Sequence, residues 1–77
     1  MSIIPLNSLE SGSTGIIKEF SDNPRFQSRL MEMGILPGEE VRMIKKTPFH
    51  GPLEIKIRSY YLSLRWDDAF EILVSQI

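Results

Sequence analysis

The chain has 77 residues, a formal net charge of −1 and no cysteine. This length suits one small domain, which we expect to span residues 1–77. The lack of cysteine excludes disulfides and thiolate metal sites and is typical of a reducing compartment. No apolar run approaches the roughly 20 residues of a membrane-spanning helix. The first residues also lack the pattern of a secretion signal. We therefore predict a cytoplasmic protein.

The first half of the chain predicts a loop, one strand and one helix. The segment that contains Leu6, Leu9 and Gly12 reads as a loop, and residues 15–20 read as the first strand. Asn23 is a suitable helix N-cap, and Pro24 suits the first helical position because it has no N–H to leave unpaired. The helix is predicted to span residues 24–33. Its apolar face recurs at helical spacing: Phe26, Leu30 and Met33.

Three residues after the helix predict two fixed backbone turns. Gly34 stands where a helix C-terminus favours a left-handed residue. Pro37 and Gly38 suit the two central positions of a type II turn, because glycine then takes the position that needs a positive φ. We predict that these three residues are structural.

The second half of the chain predicts four more strands, at residues 41–46, 53–58, 60–65 and 70–75. Residues 47–52 form a loop with two prolines and a glycine, a hairpin turns near Ser59, and Asp67-Asp68 makes a short turn. Five short antiparallel strands would curl into a small barrel, so the fold class is mainly β with one inserted helix. Three apolar residues do not match the inward-facing positions of their predicted strands: Ile17, Ile44 and Leu73. They lie either under the helix or N-terminal loop or on a partner surface.

Several segments together resemble FeoA proteins. The similarity is strongest in residues 29–38, RLMEMGILPG, and continues through residues 47–49, 52–58 and 62–65. The loop lacks an Asp that the family often has, and Ser59 stands where the family often has Gly. The resemblance implies an SH3-like β-barrel with an inserted helix. It also implies a cytosolic accessory role in bacterial ferrous iron uptake, with the FeoB membrane permease as partner. The same barrel occurs as the C-terminal domain of iron-dependent repressors, which is an alternative reading.

The sequence offers little for catalysis or metal binding. His50 is the only imidazole, so it is the only candidate base for a nucleophile. It is also the only histidine for a ferrous site, which favours several His and carboxylate ligands together. We predict that the protein is not an enzyme, has no cofactor and has no functional iron site of its own.

We predict that the partner surface lies on the loop at residues 47–52 and the outward residues of the neighbouring strands. Phe49 has an alternative, in which it folds back over the barrel mouth. Tyr61 also has one, which is ordinary packing on the sheet surface. Tyr60 is assigned to the core and Trp66 to packing at the barrel end. The predicted partner-binding residues are Lys45, Lys46, Phe49, His50, Tyr61 and Arg65.

Charge distribution leaves a second function open. Residues 42–65 contain six basic residues and one acidic residue, beside several aromatic rings. Basic grooves with stacking aromatics bind single-stranded nucleic acid, although the whole-chain charge argues against such a partner. A solvated hairpin whose charges protect its edges is an equal explanation. Self-association is also left open by the sequence.

Overall fold

Six antiparallel strands form one sheet in the computed structural model, which describes residues 2–77. Their order in the sheet is β1-β6-β2-β3-β4-β5. The strands are β1 Ile3–Pro5, β2 Thr14–Phe20, β3 Glu40–Lys46, β4 Leu53–Ile57, β5 Tyr60–Leu64 and β6 Ile72–Gln76. A 3₁₀ turn covers Leu6–Ser8, and the helices are α1 Pro24–Glu32 and α2 Trp66–Phe70. The mainly β fold with an inserted helix is confirmed, but the number of strands is six rather than five.

The additional strand, β1, lies at residues 3–5, where the sequence analysis predicted no element. It pairs antiparallel with β6, and Pro5 lies opposite Leu73. The 3₁₀ turn that follows carries Leu6 into the core, where it is fully buried. The strand was not predicted because a three-residue strand ending in proline has too few positions to show an alternating pattern.

A β-bulge explains why the predicted phase of the first strand was wrong. Ile17 was expected off the inward phase, yet it is buried together with Gly15. The register shifts between Ile17 and Glu19, so Lys18 is the extra residue of the bulge. Because of this shift, the Phe20 side chain also turns partly inward. A second register shift, in β3, makes Ile44 the extra residue there, and its side chain is half-buried.

The C-terminal part differs from the prediction in one element. Asp67 and Asp68 do not form a simple turn but lie in the first turn of α2, where carboxylates are favourable near the helix N-terminus. The last strand begins at Ile72 rather than at residue 70. Phe70 was expected to face inward, yet its side chain is 57% exposed because it ends the helix.

Both ends of α1 form as predicted. The Asn23 side chain accepts hydrogen bonds from the backbone N–H groups of Arg25 at 3.1 Å and Phe26 at 3.3 Å. At the other end Gly34 has φ +84 and donates to the Met31 carbonyl at 3.0 Å. The next amide, of residue 35, donates to the carbonyl of residue 30 at 2.9 Å. These two bonds make a Schellman motif, which requires a left-handed residue at the glycine.

The turn after the helix is also confirmed. Gly38 has φ +91, as the third position of a type II turn requires, and the Glu39 amide donates to the Leu36 carbonyl at 3.2 Å. The Gly38 amide donates to the Ile17 carbonyl at 2.7 Å, which fixes the turn against β2. The chain therefore enters β3 in one defined direction.

The core lies between the curled sheet and α1. Phe26 and Leu30 are buried and Met33 is half-buried, so the predicted helix face packs inward. Tyr60 also packs against the core, and its hydroxyl donates to the Met33 carbonyl at 3.1 Å. The fully buried residues include Leu9, Ile35, Val41, Met43, Leu53, Ile55, Ile57, Ala69, Ile72 and Val74.

Candidate functional site

The loop at residues 47–52 joins β3 to β4 at one end of the barrel, and its two ends are fastened together. The Thr47 hydroxyl donates to the Pro52 carbonyl at 2.7 Å, and the Thr47 amide donates to the same oxygen at 3.3 Å. Inside the loop, the Gly51 amide donates to the Pro48 carbonyl at 3.2 Å. These bonds hold the loop in one closed shape.

Phe49 lies at the tip of this loop and is 100% exposed. It has φ +59, and His50 after it has φ +57. Two successive left-handed residues other than glycine cost roughly 1–2 kcal/mol each. The alternative in which Phe49 folds over the barrel mouth is therefore wrong, and the strained backbone directs a large apolar ring into solvent.

The His50 side chain stacks on Trp66. The two ring centroids are 4.1 Å apart and the ring planes differ by 3°. Trp66 also packs against the core, as predicted for a barrel-end residue. The stacked pair walls a small cavity of about 270 Å³ that Pro52, Arg65 and Asp67 also line. This stacking connects the loop to the start of α2.

Lys46 has a structural bond at the same end of the barrel. Its ammonium group donates to the Asn7 carbonyl at 2.8 Å. The Asn7 side chain is buried and donates in turn to the Trp66 carbonyl at 3.2 Å. Sequence reasoning did not single out Asn7, because both Asn7 and Ser8 lie between Leu6 and Leu9 and only the fold shows that Asn7 is the buried one.

The remaining two predicted residues lie on a different surface. Tyr61 lies opposite Lys56, which lies opposite Arg42, so these three form one row across the outward face of β3, β4 and β5. The Lys56 ammonium lies 5.5 Å from the centre of the Tyr61 ring. Lys45 lies on the same outward face, opposite Glu54. This basic face is the part of the structure that the nucleic-acid alternative would use.

Four of the six predicted residues thus surround the loop: Lys46, Phe49, His50 and Arg65. Leu53, the first residue of β4 after the loop, lies opposite Leu64, and Tyr61 is three residues from Leu64 along β5. Three residues of a strand extend over roughly 10 Å, so Tyr61 lies about that far from the loop end of the hairpin. The loop end and the basic face are adjacent regions rather than one patch.

A groove that was not anticipated from the sequence lies on another side of the helices. It has a volume of about 670 Å³ and lies between the start of α1 and α2. An ion pair crosses it, because Arg29 donates to Asp68 at 3.3 Å, and the Arg29 guanidinium also lies 5.8 Å from the centre of the Phe26 ring. Other lining residues carry both charges: Asp22, Arg25, Asp67 and Glu71.

An exposed ion pair links the turn before β3 to the β4–β5 hairpin. The Arg58 guanidinium donates to the Glu39 carboxylate. This hydrogen bond lowers the pKa of Glu39 below its usual value, against a smaller opposing effect of burial. The same bond raises the pKa of Arg58. Arg58 rather than Ser59 has the positive φ of the hairpin, at +57.

We expect Arg58→Gln to raise the pKa of Glu39 toward its ordinary value, because the variant removes the charged donor. The pKa is measured by NMR titration of the Glu39 carboxyl carbon, with Arg42→Gln as a control that leaves the ion pair intact. A carboxylate with a lowered folded-state pKa stabilises the fold above its unfolded pKa, and this effect is lost as pH falls through the folded value. The stability difference between Arg58→Gln and the parent should therefore disappear in acid. An unchanged Glu39 titration would contradict the assignment.

Within residues 2–77, no three His, Asp or Glu side chains are placed together to hold a metal ion. None of the helices in that range is long and apolar enough to cross a bilayer.

Similar proteins agree with the fold and add a biological setting. A fusion protein of Porphyromonas gingivalis, described as Fe(2+) transport protein A joined to the Fe(2+) transporter FeoB, is 31% identical over 72 residues. The matched region covers 94% of this chain and 8% of that protein, so the chain spans a small part of its relative.

Solved structures of similar proteins cover the whole domain. An FeoA-like protein from Clostridium acetobutylicum is 31% identical with a TM-score of 0.89, over 100% of this chain and 90% of that one. Stenotrophomonas maltophilia FeoA, complexed with zinc and described as a prokaryotic SH3 domain protein, is 29% identical with a TM-score of 0.78, over 94% and 93% of the two chains. A manganese-dependent transcriptional repressor shares the fold alone, with a TM-score of 0.91 and 22% identity over 100% of this chain and 38% of that one.

A model of the FeoA domain family matches residues 4–76, nearly the whole chain. The resemblance found in the sequence is therefore confirmed, as is its SH3-like fold. The chain belongs to the FeoA domain family, which is linked to ferrous iron transport.

Proposed function

We propose that this chain is a non-catalytic accessory protein of ferrous iron uptake that binds a FeoB-type transporter at its cytosolic face and modulates it. The observation that carries the proposal is the P. gingivalis relative, in which a similar domain is joined to FeoB in one polypeptide. Joining two modules raises their effective concentration for each other, which is useful when the two parts act together.

The loop at residues 47–52 is our proposed centre of the contact. Full burial of a phenylalanine side chain contributes roughly 1.5–3 kcal/mol, so Phe49 has much to gain from a partner pocket. The bonds of Thr47 and the stacking of His50 hold the tip in place, and the partner would not have to order it. Lys46 and Arg65 flank the tip as rim charges, while Tyr61 and Lys45 extend the surface onto the basic face.

We expect Phe49→Ala to weaken binding to purified FeoB by roughly 10- to 100-fold, as loss of an apolar anchor does. Lys46→Ala should weaken it less, because rim charges mainly affect association rate. Phe70→Ala is the matched control, since it removes another exposed phenylalanine outside the loop. Affinity is measured with the transporter in lipid nanodiscs, and GTP turnover of FeoB is followed in the same samples.

A thermal melt of each variant separates binding from folding. Because Phe49 is fully exposed, its variant should melt like the parent. Equal affinity of the parent and Phe49→Ala would remove the loop from the contact, and no association of the parent with FeoB would overturn the proposed function.

A further inference from the structure

The strand β5 is an edge of the sheet and lacks the features that usually protect edges. It pairs with β4 alone, just as β1 at the opposite edge pairs with β6 alone. Short length, proline, charge and bulges are the common protections of an edge strand. β1 is three residues long and ends in Pro5. β5 is five residues long, Tyr-Tyr-Leu-Ser-Leu, with no charge, no proline and an unbroken register.

The register identifies which backbone groups of β5 are free. Its hairpin with β4 has a two-residue turn, because Ile57 lies opposite Tyr60. That pair closes the hairpin through its hydrogen bonds, and the bonded pairs then alternate along an antiparallel ladder. Tyr60, Leu62 and Leu64 therefore bond to β4. The N–H and C=O groups of Tyr61 and Ser63 point to the free edge.

The side chains beside this edge leave an apolar space. Inward residues of β4 are fully buried, but Leu62 on β5 is half-exposed because nothing covers its outer side. A groove of about 250 Å³ follows the end of the strand, between it and α1. Leu30, Met33 and Leu64 form the apolar part of its lining, and the rest is polar or charged: Arg29, Ser63, Arg65 and Asp68. An added strand would cover these surfaces with every second side chain.

The basic residues near this edge indicate which side chains an added strand would carry on its outward face. Arg65, at the end of β5, is exposed and makes no ion pair among residues 2–77. Lys56 lies beside Tyr61 on the outward face, with its ammonium 5.5 Å from the centre of the Tyr61 ring, and it also makes no ion pair in that range. Outward residues of an added strand lie directly beside Tyr61 and Ser63, and the long side chains of Lys56 and Arg65 can reach them, so an acidic residue at those positions would be stabilised. Two copies paired antiparallel through β5 would instead bring Arg58 and Arg65 together at both ends.

We propose that β5 accepts an extended segment of a partner protein as a seventh strand, and that this segment alternates apolar with acidic residues. Main-chain bonds to Tyr61 and Ser63 would supply affinity, and the alternating side chains would supply specificity. The site shares Tyr61 and Arg65 with the border of the surface proposed for FeoB, but it does not rest on that contact.

The probe is a synthetic peptide of about seven alternating valine and glutamate residues, near the usual length of a strand. It is added to the full chain, and amide hydrogen exchange is followed by NMR. We expect exchange of the Tyr61 and Ser63 amides to slow by about tenfold or more at saturation, because these free donors become paired. A peptide with lysine in place of glutamate should bind at least about tenfold more weakly.

Two matched peptides test the geometry without changing the protein. N-methyl groups on the alternate residues that face β5 should abolish the effect, whereas the same groups on the other residues should preserve it. Two variants of the protein test the same edge: Ser63→Pro should abolish the slowing of exchange by the peptide, and Ser63→Thr should preserve it. Unchanged exchange at Tyr61 and Ser63 would overturn the proposal. Equal binding of the lysine peptide would overturn it too, as would protection that rises with protein concentration alone and so indicates a second copy.

Discussion

Leu30→Ala should lower the free energy of unfolding by roughly 2–5 kcal/mol, the usual cost of a cavity at a buried leucine. The side chain is 1% exposed and packs in the core beneath the helix. Few other contacts can compensate, because α1 presents mainly Phe26 and Leu30 to the core. Chemical denaturation of the parent and the variant measures the difference.

Met31→Ala is the control for that experiment, because Met31 is the next residue on the same helix and is 54% exposed. Its effect should stay within about 0.5 kcal/mol, as for most surface substitutions. If both variants changed stability equally, helix propensity rather than packing would explain the loss. The assignment of Leu30 to the buried face of α1 would then be wrong.

Gly34→Ala should be the most damaging of the small substitutions, at roughly 2–4 kcal/mol, because two unfavourable effects combine. The residue has φ +84, which an L side chain rarely adopts. A Cβ atom there would also overlap the Tyr60 hydroxyl, which is held by the Met33 carbonyl. The variant must therefore strain the Schellman motif and displace the tyrosine.

Gly12→Ala separates these two effects. Gly12 has φ +88, but a Cβ atom at that position would meet nothing within 4 Å. Its substitution should show the backbone cost alone and should be clearly milder than Gly34→Ala in the same thermal melts. In a Tyr60→Phe background, Gly34→Ala should recover part of its loss because the overlapping oxygen is gone. Equal effects at the two glycines would exclude a role for Tyr60.

The segment from Asn23 to Val41 was predictable because its signals are local. A helix cap, an apolar face, a glycine stop and a Pro-Gly turn each act within a few residues, and the structure contains all of them. β1 and α2 were missed because three and five residues are too short to show a period. The phase of Ile17 depends on a bulge, which is set by pairing with β6 and not by β2 itself.

The candidate site was predictable only in part, for the same physical reason. The sequence offered Phe49 as either exposed or folded back, and its full exposure in the structure decides between them. Grouping Tyr61 with the loop required the register of β5 on β4, which places it opposite Lys56 instead. The stacking of His50 on Trp66 joins residues far apart in sequence, and no local pattern marks it.

The fastened ends of the loop at residues 47–52 have a consequence for kinetics. Thr47 closes the loop on Pro52 before any partner arrives, so docking need not wait for a slow change of shape. Association should then proceed at a rate typical of rigid protein pairs, roughly 10⁵–10⁷ M⁻¹s⁻¹. Differences in affinity among variants of the tip would be expressed mainly in how long the complex survives.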